Sequence, residues 1–274
     1  MRLTKIPILT SKVRMEKVIW VTGASSGIGA ELCQQLGQEG YNLILSARNE
    51  GALNEIQESA PFPGKIRVLP LDISDFGKAE DAAKKAMGFW NRVDILINNA
   101  GISQRSLIAE TDFLVYKKLI DVNYLGTVAL TKALLPYFIK QKEGHFVVVS
   151  SLMGKFSSPF RSGYCGAKHA LHGFFDALRM EHEKDGVNVT MVCPGFVQTN
   201  VAKNALTADG SQQEADDHAT KNGMPVSQFC KKMIAAIKLR KFEVYIAGKE
   251  KKGIYVKRYF PKLLHKLVMR SEVR

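Results

Sequence analysis

From Val18 onward, short apolar runs alternate with stretches whose apolar positions recur every three or four residues. Val18–Thr22 is a β-rich run, followed by Gly-Ala-Ser-Ser-Gly-Ile-Gly and a helical pattern through Glu39. Residues 42–47 form a second run, and Glu50–Glu58 reads as the helix after it. The same beat predicts a strand at 66–71, a helix around 78–89 and a strand at 94–97 that leads into Asn98-Asn99-Ala100-Gly101. One long helix over 112–140, a strand at 145–150, a helix over 164–185 ended by Gly186, and a strand at 188–192 complete the series. Strands this short and apolar at consecutive positions need cover on both faces. Their alternation with helices predicts parallel strands joined by right-handed crossovers. The expected fold is therefore a doubly wound, Rossmann-type α/β sheet whose ligand crevice lies at the carboxyl ends of the strands. No internal repeat or long linker interrupts residues 17–274, which read as a single domain.

Three stretches fall outside this beat. Residues 1–16 hold Arg2, Lys5, Lys12 and Arg14 around a short apolar patch, Ile6-Pro7-Ile8-Leu9, and read as a poorly ordered extension. Residues 200–225 are polar, contain Asp209-Gly210 and Asn222-Gly223, and show no clean period. A loop of that length in a compact domain is either a surface insertion or functional; its place directly after Pro194-Gly195 predicts a substrate-covering flap. Residues 254–274 form a basic amphipathic segment in which Phe260, Leu263, Leu264, Leu267 and Val268 share one side of a helix starting near Pro261. Arg258, Lys262, Lys266 and Arg270 fall opposite. Such a helix either closes the domain against its own sheet or a second subunit, or rests peripherally on an anionic membrane.

Composition changes this picture mainly through charge. The chain has a formal net charge of +13, and its last 44 residues hold fourteen Lys or Arg against three Glu. The rest is nearly neutral. Hydrophobic content of 46% and charged content of 24% exclude a disordered chain. Cys33, Cys165, Cys193 and Cys230 are widely spaced with no CxxC pair, which fits reduced thiols in the cytoplasm better than zinc or disulfides. No apolar run approaches the roughly 20 residues that span a bilayer. The basic tail contains Tyr255, Tyr259 and Phe260 but no nucleic-acid motif, so no nucleic-acid partner is expected.

Two constellations carry chemistry. Gly23, Ser25, Ser26, Gly27, Ile28 and Gly29 sit between a strand and a helix, where glycine lets backbone approach a pyrophosphate and the helix N-terminus favours its charge. At the tip of the second strand stand Arg48 and Asn49, with no carboxylate to bond a ribose 2′-hydroxyl. Arginine there suits a 2′-phosphate, so the expected cofactor is NADP(H). The second constellation is Tyr164 and Lys168, four residues apart and hence on one helical face. A free tyrosine ionises near ~10, and a neighbouring ammonium favours the phenolate, which makes the pair a candidate acid–base couple.

Taken together, these motifs resemble the short-chain dehydrogenase/reductase family over residues 17 to 201. The likeness includes the Gly23-to-Gly29 loop, Asp72, Asn98-Asn99-Ala100-Gly101, Asn123, Ser151, the Tyr164/Lys168 pair, and Pro194-Gly195 followed by Thr199. The resemblance implies that Ser151 bonds the substrate carbonyl and Tyr164 donates the proton. It implies that Lys168 holds the nicotinamide ribose and lowers the tyrosine pKa, while Asn123 distorts its helix and holds a relay water. Asp72 and Ile73 would meet the adenine, Asn99, Ala100 and Gly101 the adenosine ribose side, and Val197 and Thr199 the carboxamide. Cys165 departs from the family's usual small polar residue. The implied activity is hydride exchange between NADP(H) and a small apolar carbonyl or alcohol, with no metal and no histidine, in a homodimer or homotetramer. The alternative is a non-catalytic NADP(H)-binding sensor or scaffold.

Overall fold

The structure, a computed structural model, describes residues 17–215 and 218–270. The expected N-terminal extension, residues 1–16, and residues 271–274 of the basic segment lie outside the described residues. Seven strands, β1 (Val18–Thr22), β2 (Asn42–Ser46), β3 (Ile66–Val68), β4 (Ile95–Asn98), β5 (Gly144–Val149), β6 (Val187–Pro194) and β7 (Glu243–Ile246), form one parallel sheet in the order β3-β2-β1-β4-β5-β6-β7. The chain winds outward from β1 to β3 and then returns to the other side of β1 with β4. A crevice therefore opens where the crossovers diverge, beyond the carboxyl ends of β1 and β4.

Helices cover both faces. On one side, α1 (Gly27–Gln38) and α8 (Val226–Lys238) bring Leu32, Leu36, Phe229 and Met233 against Ile19, Val21, Leu43 and Leu45. On the other, α3 (Ala79–Trp90), α5 (Gly126–Gln141) and α6 (Ser162–His182) bring Ala83, Leu134, Phe138 and Phe175 against Val18, Trp20, Ile44 and Phe146. A pleated strand sends successive side chains to opposite faces, so cover on both explains why β1 and β2 are buried at every position. Ser46, polar inside this core, accepts from the Trp20 indole at 2.9 Å and donates to the Leu69 carbonyl at 2.7 Å. Buried polar groups persist when bonded in this way.

Differences from the expected elements have local causes. The predicted helix at 112–140 is two helices, α4 (Phe113–Ile120) and α5, joined by a wider π-type turn over Asp121–Leu125. β3 runs only to Val68 rather than 71, but Leu69 and Leu71 still donate to Leu45 and Ala47, with Pro70 between them on the open edge of the sheet, where no N–H is needed. α8 and β7 are additions to the expected set, and α2 (Glu50–Glu58) matches it.

Beyond β6 the chain crosses the crevice, forms the short α7 (His218–Lys221), and after β7 ends in α9 (Lys252–Tyr259) and α10 (Pro261–Arg270). The expected apolar stripe divides here. Leu264 and Val268 pack with Leu152, Phe156, Ile254 and Val256, whereas Phe260, Leu263 and Leu267 stay exposed. Burial of Leu264 fastens α10, a contribution of about 2 kcal/mol.

Candidate active site

The glycine turn is held from below by side chains of the neighbouring strands. Thr22 Oγ1 accepts from the amides of Asn99 and Ala100, both at 3.1 Å, and the Asn99 amide donates to the carbonyls of Thr22 and Gly23. A Cβ on Gly29 would stand 2.0 Å from the Gly23 carbonyl oxygen, so only glycine lets the first helical turn close on the loop. Gly23 and Gly27 take φ of +64° and +53°, which L side chains rarely adopt. The result is a cradle of backbone amides at the start of α1, the arrangement that binds a pyrophosphate. Arg48 lies exposed at the far end. Partial burial pulls the Asp72 carboxyl upward, but hydrogen bonds from Ser74, with Arg48 and Lys78 nearby, hold it below its usual range. Asn49 spends its side chain on capping α2, accepting from the Ala52 amide at 3.1 Å.

Across the sheet, β5 ends in Ser150 and Ser151, and α6 presents Tyr164 and Lys168 on the face toward them. Ser151 Oγ accepts from the Met153 amide at 3.1 Å and stands beside the Tyr164 hydroxyl. Burial raises the phenol above its ordinary value, and Ser151, Arg105 and Arg161 pull against that rise. A phenol so placed is protonated at neutral pH and ready to donate. The Lys168 amine donates to the Val149 carbonyl at 2.8 Å and lies 5.8 Å from the Tyr164 ring centroid. Its contact with tyrosine thus runs to the ring face, and burial lowers its pKa to about 8. Asn123, fully buried in the π-type turn, pairs with the backbone of Ile102 through both side-chain atoms at 2.9 Å. Its Oδ1 closes the space over Gly101, where a Cβ would come within 2.7 Å.

One cleft of about 1150 Å³ runs from the glycine turn past Tyr164 to the C-terminal helices. All the residues expected in the site line it except Gly29, beneath the turn, and Asn123, behind Gly101. Of the expected flap, Asn200, Val201, Asn204, Leu206, Gly210 and Gln212 face the cleft. Met153 and Phe156 also line it, and Met224, within the flap, packs against the α1–α8 core.

Sequence reasoning misses two features. Gln104, fully buried, accepts from the Gly163 amide at 2.8 Å and so caps α6, whose own N-cap residue Arg161 makes no side-chain cap. The partners stand 59 residues apart, beyond any local pattern. The second is a wall formed by Gly253, Val256, Leu264, Leu267 and Val268 of α9 and α10. Periodicity marks these residues as a face but does not say what the face covers.

Behind Ser151 lies a buried polar cluster. Ser150 Oγ donates to the Lys168 carbonyl at 3.2 Å and pairs with His172 Nε2 at 3.0 Å. Cys193 approaches Glu243 at 3.5 Å, and the Lys155 ammonium holds that carboxylate at 2.6 Å. His172 is kept neutral, with its pKa lowered to about 4 by burial and by Lys155. The ion pair ties the segment after Ser151 to β7, and an added cation would have to displace the lysine.

Residues 17–210 match the family model described as short chain dehydrogenase. The human "Dehydrogenase/reductase SDR family member 7" is 42% identical over 238 residues, 85% of this chain and 70% of that protein. A short chain dehydrogenase/reductase from Burkholderia phymatum, solved in complex with NAD, superposes with a TM-score of 0.81 at 22% identity, covering 90% of this chain and 95% of that one. ElxO with NADP bound superposes with a TM-score of 0.67 at 23% identity, covering 81% and 91%. At these identities the two solved structures establish likeness of fold.

Proposed function

Since the chain belongs to the short-chain dehydrogenase/reductase family and is an oxidoreductase of that kind, we propose that it exchanges hydride between NADP(H) and a small apolar carbonyl–alcohol pair. The carrying observation is convergence: the Ser151 hydroxyl, the Tyr164 phenol and the Lys168 amine meet on the floor of a cleft that begins at the glycine turn. The turn fits a dinucleotide because its backbone leaves no room for a Cβ at Gly29 and points amides outward at a helix start. When bound, the nicotinamide ring supplies the hydride.

The residues of the chain do the rest. Ser151 hydrogen-bonds the substrate oxygen and Tyr164 gives it a proton as negative charge develops. The charge of Lys168, beneath the tyrosine ring, disfavours protonation of anything beside it and steadies the phenolate left behind. Arg48, with no acid at the same strand tip, supports NADP(H) over NAD(H). Val201, Leu206, Phe156 and Val256 support an apolar substrate. Four buried cysteines without disulfides favour a reducing compartment such as the cytoplasm. Exposed Phe113 and Leu114 on α4 favour self-association as a dimer or tetramer.

NADPH oxidation with a panel of apolar aldehydes and ketones is the test. Turnover with at least one member, faster with NADPH than NADH, is expected. NADPH binding without turnover of any member would leave the sensor or scaffold reading in its place.

A further inference from the structure

Between Lys251 and Arg270 the chain holds seven Lys or Arg and no acid, and all seven cations are exposed. A basic surface alone is usually a solvated face. Here the same segment also keeps Tyr255, Tyr259, Phe260, Leu263, Leu267 and Met269 between 48% and 71% exposed. Large apolar side chains held together in water mark a contact surface.

Helix geometry explains their exposure. Leu264 and Val268 turn toward the protein. Leu263 and Leu267 each precede one of them and lie about 100° around α10, on its outer shoulder. Arg270 and Lys266 come next around the helix, beyond that shoulder and opposite the packed Leu264 and Val268. Tyr255 and Tyr259, four apart on α9, extend the surface.

We infer that the exposed surface of α9 and α10 docks the protein on an anionic lipid membrane. Aliphatic tips, tyrosines at headgroup depth and long cationic side chains are what an interfacial helix presents to such a surface. A second copy of the chain would set seven cations against seven more, and like charges across an interface are repulsive. A nucleic acid would find no use for Leu263, Leu267 and Met269. The docking inferred is through the surface of these two helices; among the described residues no helix is long and apolar enough to cross a membrane.

Half-exposed Leu267 also lines the cleft, with Val256 and Val268 beside it. The docked face therefore adjoins the cleft mouth, and an apolar substrate would pass from lipid to Tyr164 without crossing bulk water. This access route rests on the oxidoreductase reading, whereas the docking does not.

Co-sedimentation of the full-length protein with vesicles tests the docking. Vesicles of phosphatidylcholine containing phosphatidylserine as a minority lipid should bind at least about tenfold more protein at low salt than phosphatidylcholine alone, and added salt should release it. Lys262→Glu with Lys266→Glu should lower that binding about tenfold or more. Lys257→Glu with Arg258→Glu should do the same from α9, which guards against a folding defect in either variant. Phe260→Ser with Leu263→Ser should weaken binding a few-fold, with the thermal melt unchanged. Equal binding to both vesicle types, no binding at low salt, or reversal variants that bind like wild type would overturn the docking. Vesicle binding by a protein that turns over no carbonyl would overturn the access route alone.

Discussion

The two ends of the cleft are built on different physical terms. The end proposed for the cofactor is made of backbone: the glycine turn, its brace from Thr22 and Asn99, and the start of α1. Its shape is fixed by contacts of a few residues across adjacent strands, and it has no tolerance for an added methyl at Gly29. The end proposed for the substrate draws side chains from separate stretches, among them the segment after Ser151, the residues after β6, α9 and α10. Those walls meet only because the chain returns from β7 over the end of the sheet. One end is rigid and demands particular residues. The other asks for apolar volume, and its identity can drift without loss of fold.

Substitutions that separate the two ends sharpen the contrast, and the largest effect belongs to the floor they share. Tyr164→Phe should lower turnover about a thousandfold while NADPH affinity stays within about twofold, because only the proton is lost. Steady-state kinetics beside fluorescence titration checks this, and retention of a tenth of wild-type turnover would remove Tyr164 from the proton path. Gly29→Ala should weaken NADPH binding about ten- to a hundredfold, since the methyl must push the Gly23 carbonyl aside at an overpacking cost of about 1–3 kcal/mol. Calorimetric titration reads that loss, and near-normal affinity would show the turn to be as forgiving as the substrate wall. At the outer edge of the same end, Arg48→Ala should weaken NADPH about tenfold and NADH hardly at all, as expected for one charged contact. Equal losses would mean that Arg48 does not read the 2′-phosphate.

The smallest catalytic effect should come from the substrate end. Leu264→Ala removes an anchor of α10, which should cost about 2 kcal/mol of stability and raise KM a few-fold for long apolar substrates. Turnover of a short soluble carbonyl should be unchanged. If short and long substrates suffer alike, the C-terminal wall does not select by size.

How much of this was legible depends on the reach of each interaction. β1, β2, α2 and the cofactor loop follow from patterns within a dozen residues, because covered strands must be apolar and a turn against backbone must be glycine. The Tyr164/Lys168 pair is legible for the same reason, as its spacing is one helical turn. Asn123 was legible only by resemblance. Its bond to Ile102 spans 21 residues and arises where the helix widens, which no periodicity records.

Sequence alone thus determined the parallel α/β order, the glycine turn, the one-turn spacing of Tyr164 and Lys168 and the concentration of positive charge near the C-terminus. Each is written in neighbouring residues and obeys a local rule of sterics or spacing. Tertiary structure decided the rest. It turned Gln104 into the cap of α6, brought His172, Cys193 and Glu243 behind Ser151, and split one apolar stripe into a packed half and an exposed half. These outcomes depend on which surfaces the chain folds back upon. Packing between distant segments selects among faces that a local pattern leaves equivalent.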